Sequence, residues 1–356
     1  MSSQYVPIVE LTRGRIVESI HFGAFAVVDA SGKLVASHGD PQAVSFLRSS
    51  AKPFQALPFV ERGGPAQFGF TQREVAIMCA SHSGTDEHVA VVKGMQAKIG
   101  VGESDLMCGT HYPDHNATAD AMLLRGEVPT ACRHNCSGKH TGMLAHAKMR
   151  SVPIADYVDF HHPIQESILQ AFSDMTGLAP EQVELGVDGC SAPNFAVPLY
   201  NAALGFARLC DPSGLPETRA KACAEITAAM MAYPDMVGGP ERFDTLLMQV
   251  GAGRIVAKGG AEGYQAVGLM PGALGSGSPG FGIAVKISDG DSNGSARDGV
   301  QGGRARHLVA LEILRQLGAL DEIQYAQLAY FGHHTLSNWR KVPVGEIRPA
   351  FSIRKN

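Results

Sequence analysis

Long apolar runs, basic clusters and an even set of cysteines are all missing from this chain of 356 residues. No apolar stretch is long enough to cross a bilayer. The N-terminal MSSQYVPIVELTRGR carries no apolar segment and no cleavage pattern, so it does not read as a signal peptide. Thirty basic and 34 acidic residues give a net charge of −4 without any basic run, which excludes a nucleic-acid or membrane-surface footprint. The seven cysteines are an odd number at irregular positions. That suits reduced thiols in the cytoplasm better than a disulfide scaffold. Internal repeats and low-complexity linkers are also absent. What remains is a globular composition, 45% hydrophobic and only 18% charged. The length exceeds what most single cores hold, so two lobes are expected.

The chain is rich in glycine, with 41. The glycines gather late, in GAGRIVAKGGAEG and PGALGSGSPGFG, where tight turns or close backbone approach are expected. Early in the chain, residues 15–29 are rich in β-branched and aromatic types. Ala30-Ser31-Gly32-Lys33 is a turn signal and residues 34–37 read as a return strand. This hairpin leads into Arg48-Ser49-Ser50-Ala51-Lys52-Pro53-Phe54. The pattern puts a serine three residues before a lysine at a helix entrance, where i and i+3 share a face. Pro53 is tolerated in a first helical turn. A lysine so placed can take the proton of a serine nucleophile, and the positive end of the helix favours an alkoxide. A strand pair entering a helix that begins Ser-x-x-Lys resembles the start of penicillin-binding proteins, serine β-lactamases and serine glutaminases. Alone, the four-residue pattern is common on solvated helices.

Helices are expected near 71–80, 86–99, 117–125, 142–149, 163–176 and 217–232, and strands at 254–258, 263–267 and 282–288. A last amphipathic helix is expected from about 303 to 317. Strands at both ends and helices between predict an α/β (α+β) fold. One antiparallel sheet flanked by helices comes from residues 1–65 together with 240–356. Residues 66–239 form a mainly helical lobe, and the active site lies in the cleft between the two.

Three further segments carry reactive groups. In Cys79-Ala80-Ser81-His82-Ser83-Gly84-Thr85 a helix N-cap at Ser83 or Thr85, backed by Glu87 or His88, explains one or two residues but not the whole cluster. Ser81 is the candidate to face the nucleophile. Arg254–Gly260 reads as a strand ending in Lys258-Gly259-Gly260, and a solvated lysine before a hairpin turn accounts for it equally well. Two polar loops around Cys136 and Cys190 hold thiols among small residues. Two thiolates plus nitrogen or oxygen donors would suit zinc, although the spacing matches no short zinc-finger pattern and buried cysteines are most often small hydrophobes. His111, His115, His161, His162, His333 and His334 read as satisfied or exposed histidines rather than ligands.

Taken together, RSSAKPFQALP, CASHSGTDEH, CGTHYP, HNCSGKHTGML and GVDGCSAPNFAVPL resemble the rhizobial-type L-asparaginase family (asparaginase II family, class 3), over about Ile8 to Ser352. The resemblance implies a fold similar to serine β-lactamases and penicillin-binding proteins, a homodimer, and hydrolysis of L-asparagine to L-aspartate and ammonia. It implies two Ser-Lys pairs, Ser49 with Lys52 and Ser81 with Lys258. It implies a zinc site of Cys136, Lys139 and Cys190 completed by a water, with Asp188 contacting that water, and Arg48 and His140 near the bound amino acid. Lysine ligates zinc only as the neutral amine, against an unperturbed pKa of about 10.4. The expected chemistry is acyl transfer. Ser49 attacks the side-chain amide, backbone amides at Ser49 and beside Lys258 receive the oxyanion, and Ser81 with Lys258 relays a proton to ammonia. Two other readings are a β-lactamase or peptidase-like serine hydrolase, and an inactive zinc- and amino-acid-binding regulator.

Overall fold

The computed structural model describes residues 4–291 and 303–353. Eleven strands are described: β1 (Val6–Arg13), β2 (Ile16–Asp29), β3 (Leu34–His38), β4 (Val44–Phe46), β5 (Glu184–Val187), β6 (Pro193–Pro198), β7 (Ile255–Gly260), β8 (Tyr264–Leu269), β9 (Phe281–Ile287), β10 (His334–Ser337) and β11 (Pro343–Pro349). The main sheet runs β10-β11-β1-β2-β9-β8-β7, with β3 paired to β2, and its neighbours are antiparallel. Its strands come from the two ends of the sequence. A smaller sheet, β4-β6-β5, lies outside it.

Local chemistry explains the first hairpin. Asp29 Oδ1 accepts from the amides of Ser31 at 2.9 Å and Lys33 at 3.0 Å. Gly32 supplies the positive φ, +93°, that closes the turn. Every residue of β8 is buried, as is all but one of β9, so both faces of the central sheet are covered. Helix Leu199–Cys210 packs on β2, β8 and β9, and helix Arg306–Leu317 packs on β8, β9 and β11. The first of these lies so close that a methyl on Gly282 would sit 1.8 Å from the Ala203 carbonyl oxygen. The helix is buried almost throughout, from Leu199 to Cys210, and starts after Pro198 without a side-chain cap.

Helix Lys52–Glu61 is buried from Lys52 to Val60 and packs against helices Ser137–Met149, Pro163–Thr176 and Glu217–Ala232. Phe54 meets Phe172 and Phe206 edge-on, with centroids 5.6 and 5.3 Å apart. The helix that begins at Ser137 was expected to begin only at 142. Gly138 and Gly142 look like loop residues in sequence. Here they let the helix lie against Ile77 and Met78, since a methyl on Gly138 would come within 2.3 Å of the Ile77 carbonyl oxygen. Lys139 and His140 are therefore helical residues, with Cys136 at the N-cap.

Candidate active site

Phe46 ends β4, and residues Arg48–Ala51 form a tight 3-10 turn before the helix at Lys52. Arg48 holds φ at +51°, a left-handed conformation rare for a residue with a side chain. Two contacts hold it: its amide donates to Asn194 Oδ1 at 3.0 Å and its Nε to Asp188 Oδ1 at 2.8 Å. The turn presents Ser49, half-buried, to a cavity of about 260 Å³. The next residue, Ser50, is buried and donates to the Lys258 carbonyl at 2.6 Å. This bond ties the serine turn to the end of β7.

Lys52, three residues after Ser49, is buried, 1% exposed. Its Nζ donates to the Ala80 carbonyl at 2.5 Å and to Ser81 Oγ at 2.9 Å. Lys258 Nζ reaches the same Ser81 Oγ from the opposite side, also at 2.9 Å, and donates to the Gly259 carbonyl at 2.8 Å. Four residues remote in sequence thus meet: Ser81 joins both amines, and Ser49, Ser81 and Lys258 line one cavity. The pairing differs in detail from the i, i+3 expectation, because Lys52 bonds to Ser81 rather than Ser49. Burial lowers the Lys258 pKa from 10.5 to about 7, against the partial support of Asp244.

The loop bearing Ser81 is fixed by its backbone. The Ser81 amide donates to Val237 O at 2.9 Å, and the His82 amide to Asn135 O at 3.2 Å. Ser83 donates to Gly238 O at 2.7 Å, so the helix cap falls to Thr85, which exchanges hydrogen bonds with His88. His82 stacks on His88 with ring centroids 4.9 Å apart and bonds Ser137 Oγ at 2.9 Å.

The strand end Lys258-Gly259-Gly260 needs its glycines. A methyl on Gly260 would lie 2.4 Å from the Leu47 carbonyl oxygen and 3.2 Å from Ser50 Oγ. The amide of Gly259 donates to Asp244 Oδ2 at 2.7 Å. It is therefore committed, and an oxyanion donor on this strand has to come from beyond it, where Gly260 and Ala261 also line the cavity. Sequence reasoning missed Asp244, which sits in helix Phe243–Gly251 fourteen positions before Lys258. In sequence it reads as an ordinary first-turn acid, and only the packing of this helix on β7 reveals its role.

A second polar group lies nearby. Lys139 Nζ donates to Cys190 Sγ at 2.9 Å, and the neighbouring Cys136 Sγ donates to Asn135 Oδ1 at 3.1 Å. The adjacent Cys136 thiol and the Lys139 charge hold Cys190 below the ordinary thiol range, although burial opposes this. Burial disfavours the Lys139 ammonium, but the charge of Cys190 and Cys136 outweighs it and raises its pKa. His140 Nδ1 bonds Tyr157 OH at 2.6 Å, while its buried Nε2 makes no well-aligned hydrogen bond. Burial lowers its pKa to about 4. Asp188 pairs with Arg48, and neither lines the main cavity. Two adjacent thiols and an amine are the residue types of a zinc donor set, with Lys139 a donor only once it has given up the proton that the Cys190 charge favours. Among the described residues no group of three or more His, Cys, Asp and Glu could hold a metal. The histidines at 111, 115, 162, 333 and 334 each have a hydrogen bond of their own.

Two hydroxyls and one buried amine line the cavity, and a second buried amine, Lys52, reaches it through Ser81. The sequence profile of the L-asparaginase II family matches residues 9–349, and the chain belongs to that family. It is accordingly an amidohydrolase acting on a small-molecule amide. No curated protein sequence matches the chain. Similar solved structures include a probable glutaminase from Bacillus subtilis complexed with 6-diazo-5-oxo-L-norleucine, at 13% identity and a TM-score of 0.36, covering 84% of each chain. Mglu in its glutamate form is 16% identical, covers 84% of this chain and 62% of that one, and has a TM-score of 0.41. No helix among the described residues is long and apolar enough to cross a membrane.

Proposed function

We propose that the protein is an L-asparaginase that works through an acyl-enzyme on Ser49. The observation that carries this reading is Ser81 Oγ lying 2.9 Å from both Lys52 Nζ and Lys258 Nζ, beside a cavity that Ser49 also lines. Lys52 in its uncharged form has two N–H donors, and Ala80 O and Ser81 Oγ use both. Its lone pair is then left to take the Ser49 proton. Ser49 Oγ bonds to the side-chain carbonyl carbon of asparagine. The C–N bond breaks as the leaving nitrogen takes the Ser81 proton, and Ser81 takes one from Lys258. Water then attacks the β-aspartyl ester and gives a proton through Ser81 to the Lys258 amine, while Ser49 recovers its own from Lys52. Each amide donor to the oxyanion contributes roughly 3–4 kcal/mol.

Cys136, Lys139 and Cys190 would hold zinc, and the ion would orient the α-amino or carboxylate group of the substrate. Arg48, Asp188 and His140 frame that end of the site. A homodimer, as the sequence resemblance implies, completes the reading. The test is ammonia release from asparagine and glutamine, with hydroxylamine added to intercept the acyl-enzyme as β-aspartyl hydroxamate. Ser49→Ala should abolish both products and leave the fold intact. Near-normal turnover by this variant would move the nucleophile to Ser81. Metal content after dialysis against chelator should be one zinc per chain in the wild type, and lost in Cys190→Ser.

A further inference from the structure

We propose that Asp244 is a positioning residue for the second lysine: it fixes the end of β7 and supplies the counter-charge that keeps Lys258 able to deliver a proton to Ser81. The inference rests on the proton-relay role given to Lys258 above. It adds a residue that neither the Ser-Lys pattern nor the cysteine loops point to.

The geometry is specific. Asp244 Oδ2 accepts the Gly259 amide at 2.7 Å and lies 3.9 Å from Lys258 Nζ. Asp244 Oδ1 accepts from Gln265 Nε2 at 2.9 Å. Gln265 is opposite Gly259 in the β7–β8 register, so one carboxylate grips both strands at the residue after the lysine. Its side chain is 13% exposed, and it lines the same cavity as Ser49 and Ser81. Lys258 as an ammonium has three donors. Two go to Ser81 Oγ and Gly259 O, and the third N–H is the one a carboxylate at 3.9 Å serves electrostatically.

The other charged or titratable groups around Lys258 all work against its proton or lie further down the order of influence. Lys52, from helix Lys52–Glu61, and Arg242, just before helix Phe243–Gly251, disfavour it, and Cys136 favours it weakly. Burial is the largest influence and also disfavours the charged amine. Asp244 is thus the principal support for the cationic form. Without it the amine would lose its proton at a lower pH and arrive at Ser81 with nothing to donate.

Asp244→Asn separates charge from shape. The asparagine Oδ1 can still accept the Gly259 amide. Gln265 Oε1 is buried without a hydrogen-bond partner, so a flip of this amide lets it accept from the new Nδ2. The experiment is a pH profile of kcat/KM for asparagine, with thermal unfolding alongside, on wild type, Asp244→Asn, Asp244→Ala and Lys258→Met. A neighbouring opposite charge moves a pKa by about 1–3 units. In Asp244→Asn the basic limb should therefore move down by about one unit or more. At pH values above that limb kcat/KM should fall about tenfold, with an unchanged melting temperature. Asp244→Ala should lose activity across the whole profile. An Asp244→Asn profile that overlays the wild type, with Lys258→Met inactive, overturns the inference and leaves the relay standing. An active Lys258→Met overturns the relay itself, and the Asp244 inference with it.

Discussion

Gly260→Ala tests whether the serine turn depends on the strand that carries Lys258. The methyl would sit 2.4 Å from the Leu47 carbonyl oxygen and 3.2 Å from both Ser50 Oγ and Tyr264 Cβ. That carbonyl cannot swing aside, because it accepts the Ser50 amide at 3.1 Å, while the Leu47 amide is bound to Phe195 O at 2.9 Å. Restoring ordinary contact requires the turn and the strand to part by about 1 Å, the kind of overpacking that costs about 1–3 kcal/mol. The smaller unfolded-state entropy of alanine returns about 0.4–1 kcal/mol. The net loss is about 1–2 kcal/mol, worth roughly 1.3 °C per kcal/mol at an unfolding entropy of about 2.1 cal/mol/K per residue. Activity should suffer more, about 100-fold, since a 1 Å misplacement separates Ser49 from the amines. Gly259→Ala is the control. Its methyl meets Gln265 Oε1 at 3.1 Å and Asp244 Oδ2 at 3.4 Å, side-chain ends rather than backbone, so it presses on the Asp244 grip and leaves the serine turn in place. Ammonia release and calorimetric melting of the two variants decide the matter. If Gly260→Ala melts and turns over like wild type, or if Gly259→Ala is the worse of the two, the close approach is not what sets the site.

Two other outcomes follow from charge. The unfolded chain keeps the Lys258 proton up to about its ordinary 10.5, while the folded chain releases it near 7. Between these values the unfolded state binds more protons, so stability should rise with pH, each unit of pKa difference being about 1.4 kcal/mol. Melting curves from pH 7 to 9 should show that slope in wild type and not in Lys258→Met, and a parallel slope in both would reject the shift. Asp188→Asn keeps an acceptor for the Gly189 amide, which now bonds Asp188 Oδ1 at 2.8 Å, but it discharges the partner of Arg48. It should raise KM for asparagine severalfold with kcat changed little, and an unchanged KM would remove Arg48 from substrate binding.

How much was legible depended on whether a signal was local. Helices 86–99, 163–176 and 217–232 appear at the expected residues, because caps and periodicity mark their ends: Thr85 with Gly100, Pro163 with Gly177, and Glu217 in a first turn. The hairpin before Ser49 was equally readable from its turn. Strands β10 and β11 were not read, and neither was helix Leu199–Cys210. The strands lie at a half-exposed sheet edge without clean alternation, and the helix starts after Pro198 with no side-chain cap to mark it. The start of helix Ser137–Met149 was misjudged because its glycines serve packing rather than a turn. At the site, Ser49, Lys52, Ser81 and Lys258 were named from motifs. The identity of the Lys52 partner was not, because it depends on how the loop after helix Gln72–Met78 hangs from Val237 and Asn135.

That dependence gives the site its character. Ser81 comes into position through backbone bonds to Val237 and Asn135, Ser49 through a turn anchored by Asn194, and Lys258 through a strand end held by Asp244 and Ser50. Each reactive side chain is thus placed by a neighbour from another part of the chain. An amine forced to stay near neutrality by burial is a standing cost, one that packing elsewhere has to offset. The arrangement depends on burial, since exclusion of water is the largest cause that lowers the Lys258 pKa from 10.5. The frame around the two lysines therefore sets both the geometry of this hydroxyl–amine cluster and, at Lys258, how readily the amine holds its proton.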